Sequence, residues 1–296
     1  MFRKISIKVA LFVNIVLFMV VGIGTIQLAK EQFNRLDEQY KTQAKFDSLV
    51  GAKAVSTVFE EFIDNGAVSA ADIFDTEYQP YGKFEPAKYR TKYDVYADRA
   101  LLSLQDEMLK NPSIIFAVTV DNNGYLPTHN SKFTQPITGD KAKDKVGNRT
   151  KRIFNDPTGL AAAKNTQPGF LQIYKRDTGE TMWDVSSPII VKGKQWGNFR
   201  IGLSIDLLKK AKISILGQLI LSMAVILVIS FILVFFTIKS SLQPLVALTH
   251  KASLMADGDV SQPIIAYSKD EIGELAEVLE RMRISLKTAM DRLMRR

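Results

Sequence analysis

The sequence predicts an α+β membrane protein. It should have two transmembrane helices, an antiparallel-sheet domain between them entered by a long helix, and a C-terminal helical pair that closes as a parallel four-helix bundle in a dimer. Three observations carry that prediction. Ile213 to Ile238 is uncharged between Lys212 and Lys239, and at about 1.5 Å of rise per residue it exceeds the ~20 residues that a hydrocarbon core needs. Val9 to Leu28 is a second, largely apolar run containing Asn14 and Gln27. Beyond the second run, Leu245, Leu248, Ala252 and Met255, and then Ile272, Leu275, Leu279, Met282, Leu286, Ala289 and Leu293, alternate at three- and four-residue spacing. Such heptads bury a stripe only against other helices. Two chains pairing as a homodimer supply them.

Taken in order, residues 1–8 form a short N-terminus whose Arg3, Lys4 and Lys8 suit a cytoplasmic flank. Residues 9–28 are the first span, read as an uncleaved anchor because Ile26-Gln27-Leu28-Ala29 lacks the small residues of a cleavage site. Residues 29–212 are the extracytoplasmic domain, 213–238 the second span and 239–296 a cytoplasmic module. The formal net charge of +8 is divided about equally between the segment joining the spans and the flanks, so membrane orientation explains it and nucleic acid does not. With no cysteine in the chain, disulfides, thiolate zinc sites and covalent haem are excluded. One histidine between the spans rules out a multi-histidine metal site there.

Within 29–212, the stretch Lys30 to Asp64 continues the first span as helix, with Phe33, Leu36, Tyr40 and Phe59 among charges and no proline. Tyr78-Gln-Pro-Tyr-Gly82 is turn chemistry, and a second helix is expected from Pro86 to Lys110, ended by Asn111-Pro112. Ile114 to Val120 is β-branched and aromatic, with a turn at Asp121-Asn-Asn-Gly124. A polar connection, Thr128 to Arg152, leads to a short helix over Lys151 to Lys164 that Asp156-Pro157 breaks. Strands follow at Phe170 to Tyr174, Thr181 to Val191 and Trp196 to Ser204, with turns at Asp177–Glu180 and Lys192–Lys194. Long helix, strand and turn, helical connection, then antiparallel strands is the order of a PAS-like sensor sheet; parallel winding is not indicated.

Pro244-Leu245, Gly258-Asp259-Val260 and Asp270-Glu271-Ile272-Gly273-Glu274-Leu275, directly after a span, resemble a HAMP domain, the signal-converting module of bacterial transmembrane receptors. Tyr125-Leu-Pro-Thr-His-Asn-Ser-Lys132, Asn148-Arg-Thr-Lys-Arg-Ile-Phe-Asn-Asp156 and Trp196-Gly-Asn-Phe-Arg-Ile-Gly202 resemble the ligand-binding region of a subset of methyl-accepting chemotaxis receptors, usually of the single Cache, PAS-like type. The resemblance implies a multi-pass receptor of the bacterial inner membrane with a periplasmic or extracellular sensor. It also implies signal-relay roles for Pro244, Glu271 and Gly273, the acidic residue capping the second helix. Chemoreceptors continue beyond HAMP into a kinase-coupling coiled coil. With the sequence ending at Arg296, the expectation is output through a cytoplasmic signalling partner in trans.

Candidate ligand contacts follow from residue chemistry. His129, Asn130 and Lys132 offer donors in the loop after the first strand. Arg149 and Arg152 can each grip a carboxylate through two parallel hydrogen bonds. Tyr125, Trp183, Asp184 and Arg200 lie on strands, as does Tyr174, where alternate residues line one face; Asp184 would meet a ligand amine or a surface lysine. The expected ligand is a small, possibly anionic molecule, with no cofactor and no metal. No phosphate loop, H-E-x-x-H, G-x-S-x-G or nucleophile with a base is present, so no enzyme is expected. The alternative is a membrane scaffold or decoy subunit that heterodimerises with full-length receptors through HAMP and needs no ligand.

Overall fold

The computed structural model describes residues 5–177, 179–266 and 268–294. Arg3 and Lys4 of the basic flank, Thr178 of the Asp177–Glu180 turn, and Arg296 lie outside them. The elements in chain order are α1 (Ile5–Asp64), α2 (Ala70–Ile73), β1 (Gln79–Pro80), β2 (Tyr89–Arg90), α3 (Asp94–Met108), β3 (Ile114–Asp121), β4 (Tyr125–Leu126), α4 (Lys141–Gly147), β5 (Arg152–Ile153), α5 (Pro157–Ala163), β6 (Phe170–Lys175), β7 (Thr181–Val191), β8 (Lys194–Ser204), α6 (Ile205–Ala256) and α7 (Glu271–Met294). Helices α1 and α6 are both long and apolar enough to cross a membrane. Their most apolar windows have mean hydropathies of 2.6 and 3.1 and are 6% and 0% buried. A soluble core helix would be covered by protein; these are not.

The chain divides into two compact units, residues 30–216 on the one hand and residues 1–29 with 217–296 on the other. The first is built on an antiparallel sheet of order β3-β8-β7-β6. Period-two alternation gives that sheet two different faces. Val185 and Ile189 of β7 with Phe199, Ile201 and Leu203 of β8 join Val55, Phe59, Tyr93 and Leu101 in an apolar layer under α1 and α3. Trp196 meets Phe59 and Tyr93 edge-on, with ring centroids 5.0 and 5.4 Å away. Helix α1 comes so close to the sheet that a Cβ on Gly51 would stand 2.3 Å from the Phe199 ring. Phe116, Val118, Val120, Tyr174 and Met182 project to the opposite face and pack with Leu126, Phe133 and Ala163 from the connecting segment.

Two sequence expectations need correction here. The second helix begins at Asp94, not Pro86, because Tyr89–Arg90 pairs with Gln79–Pro80 instead. Asp156-Pro157 starts α5 and does not break a helix: the Asp156 carboxylate accepts from Gly159 N–H at 3.0 Å, and the proline takes the first turn, where its missing N–H is harmless.

In the second unit, Leu248, Met255, Ile264 and Ala276 form a small core, with Ile272 and Leu279 against it. Arg283 fixes the connector by donating to the Val260 carbonyl at 2.8 Å and by pairing with Glu280 at 2.6 and 2.8 Å; Glu280 in turn accepts from Ile264 N–H at 2.7 Å. Pro244 does not open a helix. It sits inside α6, which runs unbroken from the β8 junction to Ala256. The cap of α7 is Asp270, whose carboxylate accepts from Ile272 N–H at 3.1 Å and Gly273 N–H at 3.2 Å. Glu271 is the exposed first helical residue, where its charge suits the N-terminal end of the helix. Gly273 is required by space: a Cβ there would lie 1.9 Å from the Ser268 carbonyl oxygen.

Candidate ligand-binding site

The second face of the sheet carries a cleft lined by Phe116 and Val118 of β3, Leu126 of β4, Tyr174 of β6, Arg200 of β8, and His129, Arg149, Phe154 and Arg176 from the loops. Its cavity volume is about 20 Å³. That is near the minimum for one water. Anything larger enters by moving the side chains at the mouth.

The loop bearing Arg149 and Arg152 is held at both ends. Arg149 N–H donates to the Phe133 carbonyl at 2.7 Å and Lys151 N–H to that of Leu126 at 2.9 Å. Lys151 itself adopts φ 60°, a left-handed conformation that costs a side-chain-bearing residue roughly 1–2 kcal/mol. Its ammonium donates to Asp98 at 2.7 and 2.8 Å and lies 3.2 Å from Asp94. The lysine thus ties the loop to α3 and leaves the flanking arginines to the cleft side.

Three guanidinium groups crowd that side. Arg149 and Arg152 stack over Phe154 at 5.0 and 4.9 Å and share Asp177 at 2.8 and 3.4 Å. Arg176 stacks over Phe133 at 4.7 Å and pairs with Glu180 at 2.9 Å. Burial, and then repulsion from Arg149, lowers the affinity of both Arg152 and Arg176 for their protons. Burial works against ionising Asp177, but the Arg149 hydrogen bond and the charges of Arg149, Arg152 and Lys145 together outweigh it and hold the carboxyl below its usual range. Among the described residues, these three cations pair with two carboxylates, Asp177 and Glu180, an excess of positive charge in a poorly solvated place that an anion would relieve.

Arg200 and Asp184 are a closed pair. The guanidinium reaches both carboxylate oxygens, at 3.2 and 2.8 Å, over the Tyr174 ring, and both side chains are buried. Gln172 also donates to Asp184 at 2.8 Å. Asp184 therefore meets neither a surface lysine nor an open cleft; the pair is a neutral wall.

His129 lies between Phe133 and Phe116, with centroids 4.7 and 6.3 Å away, and is 2% exposed. Its Nδ1 accepts from Asn130 N–H at 2.8 Å, so the proton of the neutral ring sits on Nε2. Burial first, then Arg149, Arg176 and Arg152, keeps the imidazole uncharged well below its ordinary pKa.

The other sequence candidates lie elsewhere. Asn130 is a fully buried clamp, donating to the Gln105 carbonyl at 2.7 Å and accepting from Ala117 N–H at 3.0 Å. Lys132 is exposed beside Phe133. Trp183 and Tyr125 are on the wrong side. Trp183 packs on the helix-facing layer beneath Lys41, and the Tyr125 hydroxyl contacts both Asp94 oxygens, at 3.0 and 2.9 Å, and the Tyr89 carbonyl at 3.0 Å. Arg176 was not singled out by sequence, although its position between a strand end and the Asp177 turn, two residues beyond Tyr174, was a usable signal.

The HAMP domain family matches residues 236–288. A probable methyl-accepting chemotaxis protein of Bacillus thuringiensis subsp. konkukian is 26% identical over 147 residues, covering 48% of this chain and 22% of that protein. The chain thus spans about a fifth of that relative's length. Among solved structures, the sensor domain of E. coli DcuS is 20% identical at a TM-score of 0.27, over 38% of this chain and 72% of that one. The ligand-binding domain of Campylobacter jejuni chemoreceptor Tlp3, in complex with 4-methylisoleucine, is 12% identical at a TM-score of 0.31, over 59% and 62%. The chain is thus similar over 147 residues to a methyl-accepting chemotaxis protein, matches the HAMP domain family over residues 236–288, and has two helices able to span a membrane with a sheet-containing domain between them.

Proposed function

We propose that the protein is a homodimeric receptor of the bacterial inner membrane whose extracytoplasmic domain, residues 29–212, binds a small anion. Binding shifts the second span relative to the first, and the HAMP helices pass the change to a cytoplasmic signalling partner. One observation carries the reading. Arg149, Arg152 and Arg176 bring surplus positive charge to an aromatic cleft, and β8, whose Arg200 forms its wall, passes at Ser204 directly into α6. A displacement of β8 is thus a displacement of the root of α6. The link to α1 is equally short: Lys212 donates to Asp37 at 2.7 Å.

Guanidinium groups, aromatic rings and a neutral imidazole donor suit binding of a short carboxylate or an amino acid, and supply no nucleophile with a base for turnover. Homodimerisation is supported by Leu275, Met282, Leu286 and Leu293, which are 40%, 53%, 44% and 73% exposed in one chain and lie on the heptad stripe a second copy would cover. A ligand drives such a relay by its differential affinity for two states, of which a few kcal/mol suffices.

The test is a thermal-unfolding screen of the full chain in detergent micelles, read by Trp183 and Trp196 fluorescence, against short carboxylates and amino acids. A ligand at a hundred times its dissociation constant stabilises by about 2.7 kcal/mol, a shift of roughly 5–10 °C. Arg149→Met, still folded, should abolish the shift. No shift across the library would favour the scaffold subunit instead.

A further inference from the structure

A buried amine lies outside the cleft. Lys88, 5% exposed, donates from Nζ to Asn148 Oδ1 at 2.5 Å and to the Thr150 carbonyl at 2.6 Å. Among the described residues it has no carboxylate at ion-pair distance. The acid whose charge acts on it, Asp144, is occupied by Thr138 N–H and Oγ1, both at 2.8 Å, and Gly139 N–H at 2.9 Å. Two acceptors match the two N–H groups of an uncharged amine and leave its lone pair unused. Beside it lies a cavity of about 210 Å³ walled by Phe84, Pro86, Ile137 and Gly139. The charged groups around that cavity are Lys83, Glu85, Lys141 and Asp144, of which Glu85 and Lys141 pair with each other. Burial first, and then the charges of Arg152 and Lys151, brings its pKa down to about 8.

We propose that Lys88 is a carbamylation site, its side-chain amine adding carbon dioxide from the adjoining cavity. The lone pair of the neutral amine attacks the carbon of CO₂. A C–N bond forms, one C=O π bond becomes the second carboxylate C–O, and one N–H proton leaves to solvent. No oxidant or second substrate is needed. The nitrogen keeps one N–H for one of its two acceptors, and Arg152 and Lys151, which repel an ammonium at this place, offset the charge of a carbamate. The features that make Lys88 a poor ammonium site are those that favour the adduct. Through Asn148 and Thr150 the site adjoins both sides of Arg149, so charge placed there would also reach the cleft arginines.

The experiment equilibrates the full chain in detergent micelles with ¹³C-labelled bicarbonate and CO₂ at pH 7.5–8, traps carbamates by O-alkylation, and maps them by peptide mass spectrometry. Lys88 should carry the adduct at an occupancy roughly tenfold or more above exposed lysines such as Lys132 and Lys164, because more of its amine is neutral at that pH. Occupancy should rise with pH toward 8, and K88R should lose the adduct on that peptide alone. Occupancy at Lys88 no greater than at Lys132 and Lys164 in the unaltered chain would overturn the proposal, a result that does not depend on how any variant folds.

Discussion

The two faces of the antiparallel sheet are made by the same strands and differ in almost every physical respect. Toward α1 and α3 the sheet presents Val185, Ile189, Phe199 and Ile201, closed over by Phe59 and Tyr93. On the other face, one residue along, it presents Asp184, Arg200 and Tyr174, and the loops add His129, Arg149 and Arg176. The first face gains stability from buried apolar area. The second gathers charges whose burial is costly unless each finds a partner, and it leaves three guanidinium groups sharing two carboxylates. Strand alternation lets one sheet separate an apolar face that holds the fold from a charged face that lines a cleft.

The largest expected effects lie in breaking each face at its centre. Phe199→Ala removes a fully buried ring and should cost about 3–5 kcal/mol, lowering the unfolding temperature by roughly 10 °C while the remaining folded fraction binds anions as before. Asp184→Ala should cost a similar ~3–5 kcal/mol, because it strands the buried Arg200. Its binding signature should be opposite: Arg200, freed from its partner, adds charge to the cleft and anion affinity is kept or raised. Unfolding curves paired with titrations separate the two.

Arg176→Met sharpens the contrast. Removing one of the crowded cations should leave the unfolding temperature nearly unchanged but weaken anion binding by roughly tenfold or more, as expected for a charge-assisted hydrogen bond worth ~1.5–3 kcal/mol. A titration of the variant checks it.

His129 gives the cleft face a pH dependence that the apolar face lacks. Its folded-state pKa lies well below 6.5, so the unfolded chain takes up a proton first as pH falls. Stability contributed by the neutral ring is therefore present above about pH 6.5 and is lost progressively below it. His129→Gln should flatten that part of the stability–pH profile, and a bound anion should do the same by favouring the protonated ring.

Gly51→Ala is expected to be the mildest. The new methyl crowds the Phe199 ring, an overpacking cost of about 1–3 kcal/mol offset by the ~1 kcal/mol that alanine gains over glycine in a helix. A net loss near 1 kcal/mol in chemical unfolding, with no change in anion affinity, is the outcome.

Much of the architecture was legible because it is written in local patterns. The uncharged run at Ile213 to Ile238, the β-branched run at Ile114, the turns at Asp121–Gly124 and Lys192–Lys194 and the heptads after Met255 each carry their signal within a few residues. What could not be read depends on distant partners. Pro244 resembles a helix start, but a helix entering from the span can continue through a proline when the surrounding turns hold it. Trp183 and Asp184 are adjacent, and nothing local says which of them faces α1; that parity is set by α1 docking on Phe199 and Val185. Arg149 and Arg152 were readable as anion ligands by chemistry alone. Arg176 looked like ordinary turn charge until folding stacked it on Phe133.

The central claim is that an anion held by Arg149, Arg152 and Arg176 moves the root of α6 against α1. The cysteine-free chain permits a direct measurement: the rate of disulfide formation in an Asp37→Cys, Lys212→Cys double variant, at the place where the two helices are bridged. A carboxylate or amino acid able to raise the unfolding temperature should change that rate several-fold, and adding Arg149→Met should remove the change. A rate indifferent to a ligand that demonstrably binds the cleft would contradict it.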